Sequence, residues 1–429
     1  MENMRKETEG LLEFIRKSPS NFHAIENIKK ELLALGFEEL DEKKAWKVEY
    51  GKGYFVTRNG SSIIGFRVPE GDFKGFHMIA SHSDSPTFKV KENPEMISED
   101  KYVRLNTEKY GGAIVHTWLD RPLSLAGRVV VKNSEGKAEV KLINFDKDLL
   151  VIPNCAIHVY RELNKGVELN LQVDTLPLMT LSNAKEGKGS LMRMIAEELN
   201  IKVEDILGHD LNLYVRHAGQ IVGANDEFML CPKLDDLQCA YASMRAFCNV
   251  SPKEYVSVLA VFDNEESGSS TKQGANSTLL EDVLKRMTES LGMTFSQYAQ
   301  RVADSFMISA DNAHAVHPNH PEKADPTNRP YIGGGLVIKY HGNQAYSTDA
   351  VSTARMKLYC EQAGVPYQTF FNRSDVPSGG TLGNISNTHV SVSSVDIGIP
   401  QWGMHSAVET GGTADTWYTI KAFEALYAE

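Results

Sequence analysis

The sequence predicts an α/β protein whose mixed central sheet is flanked by helices and interrupted by an inserted β-rich domain. Residues 75–80 (GFHMIA) and 256–262 (VSVLAVF) are short apolar runs, which are typical of strands buried on both faces of a sheet. From about residue 91 to 223 the pattern changes to short strand-like runs separated by turn signals, as in a compact all-β unit. We therefore expect an α/β domain built from residues 1–90 and 224–429, with a β-rich domain at 91–223 inserted between them.

The individual elements follow from local patterns. Apolar residues at helical spacing over 8–35, broken by SPSN at 18–21, predict two helices, and residues 54–67 predict a strand pair that turns at Asn59-Gly60. In the insertion we expect a helix at 191–199 and strands at 104–115, 125–131, 138–143, 149–152, 167–173 and 210–215. After it we expect helices from 232, over 279–303, at 349–363 and at the carboxyl terminus, strands at 256–262, 305–311, 336–340, 367–371 and 392–399, and a polar loop at 403–413.

Composition excludes several classes of partner. A chain of 429 residues with a net charge of −11 does not have the basic face that nucleic acid or an anionic membrane requires. The five cysteines show no C-x-x-C spacing, which favours reduced thiols in a cytoplasmic protein over disulfides or a thiolate zinc site. The N-terminus is polar and no apolar run approaches membrane-spanning length, so we expect a cytoplasmic protein with no membrane partner.

Acidic and histidine residues recur at or beside the ends of predicted strands. They are His82, Asp84, Asp235, Glu265, Glu266, Asp311 and His405. Ligands of open α/β sheets bind beyond the carboxyl ends of the strands, so we expect these side chains to line one site. Imidazole combined with carboxylate is the ligand set of Zn, Mn or Co, whereas Ca prefers oxygen alone. Two histidines and three carboxylates, one of them bridging, are enough to hold two metal ions.

Two sequence spacings indicate which residues of such a site bind metal and which support the ligands or transfer protons. Asp84 follows His82 by two residues and can hold the second ring nitrogen, which fixes the tautomer of a ligand histidine. Glu265 and Glu266 are adjacent and point in different directions, so that one can bind metal while the other takes a proton from water. Each feature alone has an ordinary explanation, as a hydrogen-bonded loop or a helix cap. Their coincidence at several strand ends favours the metal site.

The chain resembles a known family, the two-metal aminopeptidases typified by aspartyl aminopeptidase. The resemblance covers nearly the whole length and rests on motifs in one order: SHSDSP (81–86), IPNCAIHVYRELN (152–164), KLDDLQCAY (233–241), DNEESGSSTKQGANS (263–277), SADNAHAVHPNH (309–320), SGGTLG (378–383) and GMHSAVE (403–409). Ser81 and Ser267 stand where Ala and Val are common in the family, and neither is a ligand position. The resemblance implies a zinc-exopeptidase-like fold and an enzyme that releases N-terminal residues from peptides.

The resemblance also implies residue roles. Two divalent ions per subunit are expected, zinc with cobalt or manganese as alternatives. One ion is assigned to His82, Asp235 and Asp311, and the other to Asp235, Glu266 and His405. Glu265 is the implied general base, and Asp84 the residue that orients His82.

Further roles implied by the resemblance concern substrate and assembly. Lys339 is expected to hold an acidic substrate side chain, with Tyr346 and His314 as further substrate contacts. The inserted domain is expected to form dimers that build a dodecamer, and to place His158 in the active site of a neighbouring subunit. Three alternatives stay open: an aminopeptidase of broad or neutral specificity, a two-metal deacylase or carboxypeptidase, and a catalytically silent peptide-binding protein.

Overall fold

The computed structural model describes residues 2–377 and 379–429, and the chain divides into two compact units. The first unit comprises Met1–Asp84, Gly219–Met404 and Glu409–Glu429, and the second comprises Ser85–Ala218 with His405–Val408. The α-helices in chain order are α1 (Glu2–Lys17), α2 (Asn21–Ala34), α3 (Ala184–Gly187), α4 (Ser190–Leu199), α5 (Leu234–Asn249), α6 (Leu279–Ser290), α7 (Phe295–Ala303), α8 (Ala350–Ala363), α9 (Leu382–Ser386) and α10 (Asp415–Tyr427).

The strands of residues 2–377 and 379–429 form three sheets. In chain order they are β1 (Glu38–Glu39), β2 (Gly53–Arg58), β3 (Ser62–Arg67), β4 (Phe76–His82), β5 (Thr87–Ser98), β6 (Tyr102–Tyr110), β7 (Leu123–Lys132), β8 (Ala138–Asn144), β9 (Leu178–Leu181), β10 (Ile206–Val215), β11 (Gln220–Val222), β12 (Phe228–Cys231), β13 (Val256–Phe262), β14 (Phe306–Ala310), β15 (Ala313–His314), β16 (Leu336–Tyr340), β17 (Tyr367–Phe371), β18 (Ser393–Gly398), β19 (Pro400–Trp402) and β20 (Glu409–Gly412).

The first unit is built on a mixed sheet, called here the large sheet, with nine strands among the described residues in the order β1-β2-β3-β13-β4-β14-β18-β16-β17. Alternate residues of β13 enter two separate cores. Leu259 and Val261 pack with α1, α2, α5, α8 and α10 on one face, whereas Val258 and Ala260 pack with α6, α7 and α9 on the other. Burial on both faces is why β13 is an almost wholly apolar run in the sequence. The predicted mixed sheet flanked by helices is confirmed.

Strand register in the large sheet fixes where the loops emerge. β13, β4 and β14 are adjacent and parallel, with Phe262 paired to His82 and Ser309 paired to Ala80. The residues that follow each strand therefore emerge at the same edge, which is called here the carboxyl edge. A smaller sheet of the same unit has the order β11-β12-β20-β19-β15.

The second unit contains an antiparallel sheet in the order β8-β7-β10-β5-β6-β9, packed against α4 through Leu191 and Ile195. Its first strand, β5, was not predicted, because Lys89, Lys91 and Glu92 interrupt the apolar pattern around the buried Phe88.

No helix in residues 2–377 or 379–429 is long and apolar enough to cross a bilayer.

Two predicted strands of the second unit were wrong. Residues 149–152 form only isolated bridges, and 167–173 form an irregular segment that leads into a turn at 171–174. The alternation of VELNLQV is genuine, but side chains take the backbone donors that a sheet ladder would use. Asp174 accepts from the N–H of Asn170, and Asn170 accepts from that of Gln172, at 2.7 and 2.9 Å. Short polar side chains commonly compete with regular structure in this way.

Two predictions in the first unit need correction. The helix predicted at 279–303 is two helices, because the chain turns at Gly292, whose φ is +79°, and Thr294 then starts α7 with a capping box to Gln297. The polar loop predicted at 403–413 contains β20, in which Glu409 is buried and paired with Cys231 of β12.

Candidate active site

The carboxyl edge of the large sheet gathers most of the acidic residues singled out in the sequence. His82 ends β4, Asp84 follows it, and Asp311 follows β14. Glu265 and Glu266 lie in a 3₁₀ turn after β13. The parallel pairing of these strands brings the three loops side by side, and the loop at the start of α5 adds Asp235, which lies in the first turn of that helix with non-helical backbone angles.

The His82 imidazole lies at the centre of this group and is 1% exposed. Its Nδ1 is 3.1 Å from the backbone oxygen of Asp84 and 3.4 Å from Asp84 Oδ1. A carbonyl oxygen only accepts hydrogen bonds, so Nδ1 carries a hydrogen and donates to it. In neutral imidazole Nε2 then holds the lone pair that a metal requires.

On the opposite side of the ring, Nε2 of His82 lies close to carboxylate oxygens. Its Nε2 is 3.4 Å from Asp235 Oδ1, 3.8 Å from Asp311 Oδ1 and 4.0 Å from Glu265 Oε2. Single atoms of His82, Asp235, Asp236 and Asp311 all lie within 4.8 Å of one another, and so do oxygens of Asp235 and Glu266. Asp235 therefore stands between two groups of potential ligands.

Asp236 was missed in the sequence, where only the first aspartate of KLDD was singled out. Its side chain is fully buried, and Oδ2 accepts a 3.0 Å hydrogen bond from the backbone N–H of His82. The contact joins the start of α5 to the end of β4, and so fixes Asp235 beside the imidazole. Nothing in the local sequence distinguishes the two aspartates, because the bond depends on how the strand and the helix pack.

Asp84 organises the loop after β13 as well as the histidine. Its two carboxylate oxygens accept from the backbone N–H groups of Glu265 and Glu266, at 3.2 and 3.1 Å. One residue thus contacts both, since its carboxylate holds the backbone of the glutamate pair and its carbonyl oxygen accepts from the ring of His82. The Glu265 side chain is 16% exposed, which leaves it open to a small molecule at the edge.

The electrostatics of the group favour an added cation. Burial alone would lower the pKa of His82, but the carboxylates of Asp236, Asp235 and Asp311 raise that pKa well above its usual value. Burial and carboxylate neighbours also raise the pKa of Glu265, to about 8, and raise that of Glu266. Buried like charges hold protons tightly unless a cation compensates them.

These residues fit a metal ion. Nε2 of His82 is buried and receives no hydrogen bond from residues 2–377 or 379–429. A lone pair on Nε2 would face the oxygens of Asp235 and Asp311 unless a proton or a metal ion lies between them. Two atoms that bind one zinc ion tetrahedrally at 2.0–2.1 Å are about 3.4 Å apart, and Nε2 is 3.4 Å from Asp235 Oδ1. The mixed nitrogen and oxygen set suits zinc, manganese or cobalt.

Lys339 of β16 lies directly behind the Asp311 carboxylate and is 2% exposed. Its ammonium donates to Asp311 O at 2.9 Å, to Asp311 Oδ2 at 3.3 Å and to Asn312 O at 3.3 Å. The ammonium is also 5.1 Å from the ring centroid of Tyr346. Burial lowers the pKa of a lysine, but here Asp311 raises it, so Lys339 is a fixed positive charge at the site.

A cavity of about 350 Å³ in the first unit lies beside the loop that follows Asp311. Its walls include His314, Tyr346, Phe370 and Trp402. His314 and Tyr346, both predicted to contact substrate, thus line one cavity, and Tyr346 also contacts Lys339.

Two predicted residues, His158 and His405, belong to the second unit. His158 lies in an exposed turn. His405 has a positive φ of 69°, and its Nδ1 lies 3.2 Å from Gly112 O. That carbonyl places the hydrogen on Nδ1 and leaves the Nε2 lone pair for a metal. The roles of both histidines stay predictions.

Comparison with known proteins identifies the family of this chain. Residues 14–427 match the family described as aminopeptidase I zinc metalloprotease (M18). A probable M18 family aminopeptidase 2 from Clostridium acetobutylicum is 47% identical over 431 positions, which cover 100% of both chains. The chain belongs to the M18 family. Its enzyme class is therefore that of the zinc metalloaminopeptidases, as the resemblance implied.

Solved structures show that the M18 fold is shared over the whole chain. A chain in the cryo-EM structure of the Ape4 and Nbr1 complex superposes with a TM-score of 0.94 at 34% identity, covering 98% of this chain and 85% of that one. The S. cerevisiae mApe1 dodecamer gives a TM-score of 0.87 at 26% identity, covering 99% of this chain and 96% of that one.

Proposed function

We propose that this M18 aminopeptidase uses two divalent metal ions, with zinc as the first choice, and prefers peptides that begin with Asp or Glu. The buried Nε2 of His82, which lies 3.4 Å from Asp235 Oδ1 and 3.8 Å from Asp311 Oδ1, is the observation that carries the metal proposal. The second ion is supported by the approach of Glu266 to Asp235. Sequence resemblance supplies His405 as the remaining ligand.

The side chains of the carboxyl edge have separate tasks in this proposal. Bound metal ions would polarise the scissile carbonyl and lower the pKa of an attacking water. Glu265 accepts the proton of that water and delivers it to the departing amine, acting as base and then as acid. Asp84 holds the backbone of Glu265 so that its carboxylate stays beside the site. The surrounding carboxylates attract the free α-ammonium group of a peptide, which restricts cleavage to the terminal bond.

The division of labour between the two glutamates gives the first prediction. Glu265→Gln should lower kcat by roughly 10² to 10⁴ because a general base is lost, while the metal content stays unchanged. Glu266→Gln should instead lose close to one metal equivalent per subunit. The measurement combines steady-state kinetics on an aminoacyl chromogenic substrate with elemental analysis of the same preparations.

The assignment is reversed if Glu265→Gln loses a metal equivalent, or if Glu266→Gln retains both. Glu281→Gln is a suitable control, because Glu281 belongs to α6 and pairs with Lys285 in the same helix. Its kinetics and metal content should match those of the wild type.

The preference for acidic residues is supported by fixed positive charge near the site. Lys339 is dehydrated and charged, so a substrate carboxylate nearby would be favoured and a cationic side chain would be disfavoured. Its three donor directions already meet oxygens of Asp311 and Asn312. A substrate carboxylate must therefore replace one of them, and the 3.3 Å contact with Asn312 O is longer than the 2.9 Å contact with Asp311 O. Lys323 and Arg373, which line the cavity, are a second source of positive charge.

Specificity is the second prediction. The wild type should cleave N-terminal Asp or Glu faster than Leu, Ala or Lys, and Lys339→Leu should reduce the ratio of kcat/KM for Asp over Leu by about 10- to 100-fold. The ratio is the appropriate quantity because a change in metal binding through Asp311 affects both substrates equally. Arg373→Gln is the comparison variant, and loss of preference there alone would assign the charge to the cavity. A wild type that cleaves Leu as well as Asp would refute the acidic preference.

An oligomer built through the second unit is also part of the proposal. The segment around His158 exposes Ile157, Val159 and Tyr160, with Val159 80% exposed. Contiguous exposed apolar side chains are typical of a protein interface. The mApe1 neighbour is a dodecamer, which supports a homo-oligomer of dimers here.

All cysteines of the described residues are free, which is consistent with a cytoplasmic location.

The third prediction is that His158 acts in the active site of a neighbouring subunit. His158→Ala and Glu265→Gln proteins should each be inactive, and mixed oligomers should recover activity because a symmetric contact lets one intact site form from two chains. Subunits are dissociated, mixed and reassembled, and mixing is verified by native mass spectrometry with one isotope-labelled chain. Proven mixing without any recovery would exclude the role across subunits.

A further inference from the structure

A buried polar network lies behind the metal site in the first unit. Its members are less than 3% exposed and come from four different elements and one loop: Gln238 of α5, Asn312 after β14, Gln401 of β19, Glu409 of β20 and Thr416 of α10. Buried polar side chains at such density are costly unless their hydrogen bonds are satisfied. The network therefore needs a structural or functional reason.

The hydrogen bonds form a continuous connection between two of the proposed ligand loops. The backbone N–H of Asp235 donates to Glu409 Oε2 at 3.1 Å. Glu409 Oε1 accepts from Gln401 Nε2 at 3.4 Å, and Gln401 Oε1 accepts from Asn312 Nδ2 at 2.8 Å. Asn312 directly follows Asp311 in the chain. Three side chains thus link the backbone at Asp235 to the backbone next to Asp311.

Asn312 is held in one orientation. Its Nδ2 also donates to Gln238 Oε1 at 3.0 Å, and its Oδ1 accepts from Cys239 Sγ at 3.1 Å. Both amide hydrogens and the amide oxygen are therefore used. Gln238 in turn donates to Thr416 Oγ1 at 2.9 Å, which anchors the network to α10. An amide that is hydrogen-bonded through all three groups cannot rotate freely, so it holds the loop after β14 in place.

We propose that Gln401 is a positioning residue for metal binding, which sets the separation of the Asp235 and Asp311 carboxylates by joining Glu409 to Asn312. Its side chain is 1% exposed and lies at the midpoint of the connection. Metal ions tolerate only small changes in ligand separation, and partners that orient ligands affect affinity strongly. The proposal rests on the metal site of the proposed function, but it is read out without peptidase activity.

The test is Gln401→Met, the fourth prediction. Methionine has a similar length and fills the same space, but it cannot donate to Glu409, and its sulfur is only a weak acceptor for Asn312. Zinc affinity is measured on the metal-stripped full-length protein by competition with a chromogenic chelator. We expect the dissociation constant to rise by about 10- to 100-fold, the range seen when partners of metal ligands are removed. Activity is not used, because Gln401 also lines the cavity.

A matched control separates positioning from a general loss of stability. Tyr427→Phe removes another buried hydrogen bond of the same unit, the 2.7 Å bond from Tyr427 to Val258 O. Both variants should lower the melting temperature of the metal-free protein, whereas only Gln401→Met should weaken zinc binding. Equal zinc affinity in Gln401→Met and Tyr427→Phe would overturn the proposal.

A second variant covers the case in which Gln401→Met does not fold. Glu409→Gln keeps the shape but replaces one acceptor oxygen with an amide, so that either Asp235 or Gln401 loses its bond. Weaker zinc binding in Glu409→Gln supports the proposal, and unchanged binding contradicts it. A wild type that does not bind zinc would instead refute the metal site itself, which makes the two failures distinguishable.

Discussion

The structure depends on one constraint, the accumulation of buried carboxylates around the imidazole of His82. Like charges in a dehydrated site repel, and the raised pKa of Glu265, about 8, reflects that repulsion together with burial. The arrangement follows from the parallel strands, because β4, β13 and β14 end at nearly the same level and the loops that follow them therefore lie side by side. A bound cation would relieve this repulsion, and the M18 family to which the chain belongs is described as one of zinc metalloproteases.

The surrounding structure resists the repulsion by fixing the backbone rather than by neutralising every charge. Asp84 holds the amides of Glu265 and Glu266, and Asp236 holds the amide of His82. Lys339 contributes the positive charge beside Asp311. Amide contacts of this kind position a side chain without occupying the atoms that would bind an ion.

Much of the fold and of the candidate site was predictable, because both depend on local patterns of apolar and acidic residues. The apolar run of β13 followed by DNEE indicates a buried strand with an acidic loop, and the same pattern recurs at His82 and at Asp311. What sequence reasoning missed depends on pairing between distant segments. Asp236 and Gln401 differ from ordinary polar residues only through the groups that tertiary packing places against them. The strand predicted at 167–173 was wrong for the opposite reason. The alternating pattern is present, but the Asn170 side chain accepts from the backbone N–H of Gln172, which a sheet would otherwise use.

Anomalous diffraction from crystals of zinc-loaded protein, collected on both sides of the zinc absorption edge, would show whether two metal ions bind at the carboxyl edge. We expect two difference peaks about 3.5–4 Å apart. One should lie about 2.0–2.1 Å from His82 Nε2, and the other should lie against Glu266, with Asp235 between them. A single peak with Glu266 unligated, or no peak near His82, would contradict this expectation.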